Sequence, residues 1–549
     1  MNTSNLYHSL QGGARRGLSL LMVLAFSVTS QAQDTYTNER ITNSSNDVIG
    51  TARYVGMGGA LGALGADMSV ISWNPAGIGL YRKNDIALTF GGTWGKSSIS
   101  EESRGKGTFD QAGIVFSLKT ESKSCPYVNF AFNYQKKINF NQNFYANNGN
   151  LGGLSQMDQL AQLIEWDDDW QNNLTGLALE YDQNREKKGE DRIFFQKDAS
   201  GNLYNDRPSE SYDYKYHGEG SLRSFDINVS TNINDRAFLG LTIGIDNLRY
   251  QGWSYYRENF DAEGRLPNYD LTNDYDISGT GVNLKFGTII RPFASSPFRF
   301  AFAVETPTWF KLTNSTLFDY SNNVDNGPES LLDFSLRTPW KIRTGIGSTI
   351  GSVFAWDIDY EYAAFAGTSM GFRNNGNFNI STANTSKDVA MNQNTRDNMR
   401  GTHTLRVGME INATKNLAFR LGYNLSTSPF KKNISYNQYE IDKADIERHR
   451  LPRTAIDYAT STSYMRMGAT NTITLGMGYH TKRFYIDLAY KIRNQKADFY
   501  AFDTGFANSE TGDPVFLDIA PADLADATIN PVDVNLTRHA ITCTLGFKF

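Results

Sequence analysis

The sequence predicts an all-β fold: a transmembrane antiparallel β-barrel of about fourteen strands, with an N-terminal plug inside the lumen. Three observations lead there. Segments alternating apolar and polar residues with period two recur from residue 84 to the C-terminus. The connections between them sort into very short turns and long polar excursions. A stretch rich in Gly and Ala, with neither strand nor helix period, precedes the first of them.

Composition removes the competing classes. The chain has 549 residues and carries 53 Lys+Arg against 58 Asp+Glu, a formal net charge of −5. A nucleic-acid partner would require a basic excess, so none is expected. Beyond the N-terminus nothing approaches the roughly 18 consecutive apolar residues of a membrane-spanning helix. Barrel strands escape that test because alternation averages out, and a mean hydropathy of −0.46 is compatible with them. The two cysteines, Cys125 and Cys543, exclude a disulfide scaffold and a Cys-based metal site. One falls in a turn and one in the last strand, so they are expected to be unpaired.

The N-terminus has the form of an export signal. Arg15 and Arg16 precede the apolar run Leu18 to Val28, and Ser30-Gln31-Ala32 supplies a small-x-small cleavage site. Cleavage is expected after Ala32. The division is then a signal peptide at 1–32, a plug at 33–83 and a barrel at 84–549.

The last strand shows the pattern plainly. Ile541, Cys543, Leu545, Phe547 and Phe549 share one face, against Ala540, Thr542, Thr544, Gly546 and Lys548 on the other. "RFYIDLAYK", "FRFAFAVE" and "TLRVGMEI" divide in the same way. The spans are 84–94, 110–119, 127–137, 221–232, 237–251, 278–291, 298–307, 338–350, 352–363, 402–412, 416–426, 469–480, 482–492 and 537–549. Most reach the roughly 9–11 residues that cross a bilayer at a tilt. The connections near 234–236, 292–297 and 413–416 are short, whereas 138–220, 252–277, 308–337, 364–401, 427–468 and 493–536 are long and polar. A soluble sandwich has no reason to place its long loops at one end. The terminal Phe549 suits recognition by the outer-membrane barrel assembly machinery, an expected partner during biogenesis.

Thr51 to Tyr81 form the Gly- and Ala-rich stretch. A barrel of this size encloses a lumen that would leak if open, and a small-residue segment just before the first strand can fold back to fill it. Within it, "GMGGALGALGADMSVISWNPAGI" resembles the N-terminal hatch of the FadL family, the outer-membrane long-chain fatty acid and hydrocarbon transporters. The matching residues are Gly56, Gly58, Gly59, the acidic Asp67 with Ser69, and Asn74-Pro75-Ala76-Gly77. Two later stretches, His403 to Phe430 and Thr474 to Lys491, resemble that family's strand–turn–strand pieces; the long loops match poorly. The resemblance implies a plugged 14-strand barrel in the bacterial outer membrane. It also implies capture of a ligand by the loops, passage to an apolar pocket, and exit through a plug rearrangement or lateral gap.

Catalytic signals are absent or poor. The six histidines form no HExxH, and no cofactor is expected. "GTSMG" (Gly367 to Gly371) matches a nucleophile elbow by letters but lacks a strand–turn–helix context. "GGTWGKS" misses the P-loop spacing. The chain is therefore not expected to be an enzyme.

Two groups are candidate ligand sites. Arg343, Arg406, Arg420 and Arg483 are expected to face the lumen among balancing carboxylates. Their bland role is a salt-bridge network holding the wall and plug; their functional role is a counter-ion for a ligand carboxylate. In the first long loop, Ser155 and Asp158 begin an amphipathic helix, with Met157, Leu160, Leu163, Ile164 and Trp166 on or beside one face and Trp170 following. That face either packs as a lid or offers a greasy landing site. The resulting expectation is passive uptake of long-chain fatty acids or aromatic hydrocarbons, with outer-membrane lipid and lipopolysaccharide as surroundings. The alternatives are a receptor for another apolar ligand such as haem, with His217 the histidine in the first long loop, and a secretion-associated scaffold barrel.

Overall fold

The computed structural model describes residues 35–43, 47–97, 103–149, 151, 153–166, 173–189, 194–197, 203–205, 208–260, 268–320, 329–373, 385–431, 460–502 and 531–549. The signal segment and Trp170 lie outside them.

Fourteen antiparallel strands close into a barrel. In chain order they are β1 (Asp85–Ser97), β2 (Ser103–Lys119), β3 (Tyr127–Asn139), β4 (Ser211–Ile233), β5 (Ala237–Asn259) and β6 (Tyr269–Ile290). Next come β7 (Arg299–Glu305, resumed at Trp309–Tyr320), β8 (Glu329–Arg337, resumed at Lys341–Ile350) and β9 (Phe354–Ala363, resumed at Ser369–Arg373). The ring ends with β10 (Thr402–Asn412), β11 (Leu417–Ser426), β12 (Tyr464–His480), β13 (Phe484–Tyr500) and β14 (Val532–Lys548). Closure comes from β14 against β1, in unbroken register from Asp85↔Lys548 to Ser97↔Leu536. The ring therefore has no free edge, as a bilayer requires.

Alternation decides the two faces. In β5, Leu241, Ile243 and Ile245 are exposed outward, while Thr242 and Asp246 are buried inside. A continuous band of such side chains surrounds the lower barrel, among them Phe225, Phe286, Phe300, Leu421, Leu475 and Leu545. The short turns gather at one end. A three-residue turn joins β4 to β5, with Asn234 and Asp235 at φ 53° and 51°, the left-handed geometry Asn and Asp tolerate.

Each of the fourteen expected strands is present, but many run further toward the long-loop end than the sequence pattern indicated. The described residues of the excursion expected at 308–337 continue β7 and β8, and part of 364–401 is the second half of β9 with a short partner strand, Thr385–Lys387. Two prolines separate the halves. Pro307 and Pro339 cannot donate to a ladder, so β7 and β8 pause side by side at Thr306–Thr308 and 338–340. The gap is stitched by Thr338 N–H donating to the Thr308 carbonyl (3.1 Å) and Thr308 N–H donating to Thr338 Oγ1 (2.8 Å). The pause also shifts the parity: Ala301, Ala303 and Glu305 face inward below it, and Phe310, Leu312 and Asn314 above it.

Candidate functional site

The lumen has three levels. At the lowest, residues 47–81 lie inside the barrel as a short helix, α2 (Ala52–Gly56), and two 3-10 turns, Met68–Ser72 and Pro75–Leu80. Side chains cap each piece: Thr51 Oγ1 accepts from Tyr54 N, Asp67 from Ser69 N, and Asn74 from Ala76 N. The hatch-like residues are these caps and the glycines around them. Gly58 has φ +65°, and a Cβ there would come 2.7 Å from Tyr423 N. Gly56 meets Gly476, and Pro75 meets Gly240 and Gly287. Wall glycines thus leave hollows that fit the segment's backbone. Pro75 O accepts from Ser230 Oγ (2.9 Å), and Gly77 N–H donates to Asn74 O.

Charged wall residues grip the same segment. Asp359 accepts from Gly62 N (2.7 Å), and Asp357 from Ala63 N (3.0 Å) and Leu64 N (2.8 Å). Arg406 donates to Tyr54 Oη (2.6 Å) and lies 3.9 Å from the Trp73 ring centre; Arg343 lies 4.8 Å from that ring. Trp73 is therefore held between two guanidiniums. Arg343 also donates to Glu361 (2.5 Å), Glu305 (2.6 Å) and the Trp73 carbonyl (3.2 Å). Arg420 bridges Glu410 and Asp487 at 2.6 Å each, and Glu410 also receives Arg53 at 3.0 Å. Three of the four candidate arginines are thus joined in one buried network around residues 53–73. Arg483 is not. It shares the inward parity of Asp487, but β13 begins one residue later, which leaves Arg483 exposed in the short turn, its carbonyl accepting from Lys548 N.

Above this charged level the lumen becomes apolar. Ile138, Phe140, Leu222, Leu248, Ile277, Phe310, Leu312, Leu332, Phe334, Leu336, Met370 and Phe372 form one buried cluster. The N-terminal helix α1 (Thr35–Thr42) contributes Ile41 to it. At its edge Arg40 lies 4.7 Å from the Tyr216 ring centre and donates to Gln142 (3.0 Å). The resemblance implied an apolar pocket, but sequence reasoning missed the residues of this cluster. The signal was present, because Phe310, Leu312 and later Leu332, Phe334 and Leu336 alternate. In this part of the wall the apolar parity faces the lumen and the polar parity faces out, the reverse of the strand segments that carry the outer apolar band.

The third level lies at the long-loop end. Helix α3 (Gln156–Trp166) starts with reciprocal caps, Ser155 Oγ accepting from Met157 N (3.0 Å) and Asp158 accepting from Ser155 N (2.8 Å). Met157 and Leu160 have no solvent exposure; they pack with Leu174, Phe194, Tyr269 and Tyr320 in an aromatic-rich core. They are a covered face and not an open landing surface, because the extended strand tops and helix α4 (Asn173–Lys187) supply the covering. The side chains of Leu163, Ile164 and Trp166 lie outside the described part. Burial pushes the Asp158 carboxyl up to about 7.

Other sequence candidates are dispersed. His217 points outward and meets Asn143 Oδ1 at 2.6 Å. Ser369 of "GTSMG" opens the second half of β9, paired with Arg337. Cys125 and Cys543 are both unpaired.

No family model matches the sequence, and no curated protein matches it. Solved structures do match in shape. A Pseudomonas aeruginosa FadL homologue is 12% identical, with 91% of this chain and 98% of that chain covered at a TM-score of 0.50. The Ralstonia pickettii toluene transporter TbuX is 12% identical over 91% of this chain and 99% of that chain, TM-score 0.44. The Pseudomonas putida toluene transporter TodX is 11% identical over 92% and 99%, TM-score 0.45. With its closed fourteen-strand ring, this chain has a FadL-type fold.

Proposed function

We propose that the chain sits in the bacterial outer membrane and takes up hydrophobic small molecules by passive transport, with residues 47–81 acting as the plug. The observation that carries this reading is the buried apolar cluster of Phe310, Leu312, Leu332, Phe334 and Leu336, set in the lumen directly above a charged level. A pore for ions or sugars gains nothing from burying that surface. A greasy solute gains roughly 25 cal/mol for each Å² of apolar area it removes from water. The charged network below has another role. Buried pairs are costly to break, so they hold the plug closed until a change elsewhere releases it. The FadL homologue that shares the fold supports the reading by analogy of architecture. Fatty acids and aromatic hydrocarbons are the two ligand classes we infer.

The test is mass spectrometry of small molecules retained by the purified protein, paired with uptake by a deletion strain. Retained apolar compounds and an uptake defect are expected, and Leu312→Asp with Phe334→Asp should abolish both in a barrel that still assembles. No retained apolar compound and normal uptake would end the transport reading.

A further inference from the structure

The outer face of the barrel is not uniform around its circumference. On one side the last apolar row is Phe225, Ile245, Val282 and Trp309, successive partners across β4, β5, β6 and β7. Each is exposed, and Trp340 adds a second exposed indole close by on β8's side. One step toward the long-loop end, the row from Arg223 through Asn247 and Thr280 to Lys311 crosses the same four strands. Arg249, opposite Ser221, is the diagonal neighbour of Arg223; Arg337, opposite Trp309, is the diagonal neighbour of Lys311. Diagonal neighbours stand about 7–8 Å apart. Two cation pairs therefore lie on the outer wall where the apolar band stops, one on β4 and β5 and the other on β7 and β8.

Their local partners balance them only in part. Among the described residues, no carboxylate pairs with Lys311 or Arg337. Arg223 donates to Ser221 Oγ (2.8 Å); Arg249 pairs with Asp276 at 3.8 Å, a carboxylate that also accepts from Gln251 (2.7 Å), and its diagonal neighbour Glu219 already binds Lys106 (2.9 Å); Asp333, on the other diagonal of Lys311, accepts from Thr313. Like charges set side by side on a sheet face destabilise it unless an anion comes between them. The other half of the barrel shows that the arrangement is not a general property of the rim. There the corresponding row, Tyr360, Leu405, Leu425, Asn471, Asn494 and Thr537, carries no charge on β9 to β14 and meets one only at Lys96 on β1.

A further feature stands farther out on the same side. Trp253 and Tyr255, on the outward parity of β5, stack with ring centres 6.2 Å apart and planes 13° apart, and Lys215 lies 5.7 Å from the Tyr255 ring centre. Trp253 is four residues beyond Arg249, about 13 Å along the strand. An aromatic pair of this kind on a polar outer wall offers flat apolar area beside hydrogen-bonding groups, the combination that sugar rings use.

We propose that this face is a binding site for a phosphorylated glycolipid of the surrounding leaflet. Its phosphates sit between Arg223 and Arg249 and between Lys311 and Arg337, its acyl chains lie over Phe225, Ile245, Val282 and Trp309, and its sugars lie toward Trp253 and Tyr255. The proposal rests on the membrane placement argued above, but not on the transported ligand. Guanidinium groups suit phosphate because their forked donors match two of its oxygens, and each cation near an anionic surface contributes about 1 kcal/mol.

The test uses the full-length protein extracted from its own membranes in mild detergent, with bound phosphorylated glycolipid counted by native mass spectrometry. The quadruple variant Arg223→Gln, Arg249→Gln, Lys311→Gln, Arg337→Gln should lose at least about tenfold of the bound lipid, while inserting into vesicles and taking up solute like the parent. The double variant Lys415→Gln, Lys482→Gln, at the short-turn end, should lose none. Adding the glycolipid back should raise the melting temperature of the delipidated parent, and the same lipid stripped of its phosphates should not. Undiminished lipid on the quadruple variant overturns the proposal, and so does equal stabilisation by the dephosphorylated lipid or by phosphatidylglycerol. Failure of the parent to insert into vesicles of any composition would instead refute the membrane placement itself.

Discussion

Single residues show how closely the inner segment is fitted to the wall. Gly58 lies in the left-handed region, where a side chain costs about 1–2 kcal/mol, and a Cβ would also press on Tyr423 N. Gly58→Ala is therefore expected to loosen residues 47–81: single-channel conductance should rise and proteolysis within that segment should quicken. A variant with parental conductance and cleavage would show that the seat does not depend on this contact. Lys285 presents a different case. It pairs with Asp226 at 2.8 Å, and both side chains are fully buried. Removing one partner of such a pair costs about 3–5 kcal/mol because the other charge is left unpaired. Lys285→Met should accordingly lower the temperature at which the folded barrel loses its anomalous gel mobility, and Lys285→Met with Asp226→Leu should recover most of the loss. Failure of the double variant to recover would mean that the pair also has a structural role its charges do not explain.

Elements explain both what the sequence disclosed and what it hid. The strands of the outer apolar band were legible because one parity is apolar and the other mixed for ten residues or more without interruption. The hatch-like residues were legible because caps such as Asn74 and glycines such as Gly58 are the residue types that tight, irregular backbone requires. The inward apolar cluster was not legible, since Pro307 and Pro339 shift the parity in mid-strand and no local rule says which face becomes the lumen. Arg483 misled for a related reason: parity alone does not show where a strand stops. Burial of Met157 and Leu160 depends on aromatic residues such as Tyr269 and Tyr320, more than 100 residues away, and so had no local signature. Helix α3 nevertheless carries its own prediction. The Asp158 carboxyl is held neutral more readily in the folded lid than in an unfolded chain, whose ordinary value is 3.8. Raising the pH from 4 through 7 therefore costs the lid stability, and the cost is complete above about 7. Amide exchange at 156–160, corrected for intrinsic rate, should be slower relative to β5 at pH 5 than at pH 8, and Asp158→Asn should flatten the difference. A parent with no such difference would show that Asp158 is solvated.

For the whole molecule the decisive matter is which surface meets hydrocarbon, since the proposed path through the lumen has meaning only if the outer band is in lipid. The tryptophans provide an internal gauge. Trp309 is 51% exposed and Trp340 54% exposed on the outside, whereas Trp73 is 3% exposed inside, between Arg343 and Arg406. In vesicles whose lipids carry bromine on the acyl chains, a single-tryptophan protein retaining Trp309 or Trp340 should be strongly quenched, most of all by bromines placed near the headgroups, because indoles favour the interface. One retaining Trp73 should be nearly unaffected at any depth, since a strand wall and two guanidiniums separate it from the chains. The two profiles together test orientation as well as insertion. Were the barrel a soluble β-structure that merely adheres to membranes, none of the three would be quenched by bromines deep in the chains. Were the strands to present the opposite parity to lipid, Trp309 would be the silent residue, and the assignment of a lipid-facing band would fall with it.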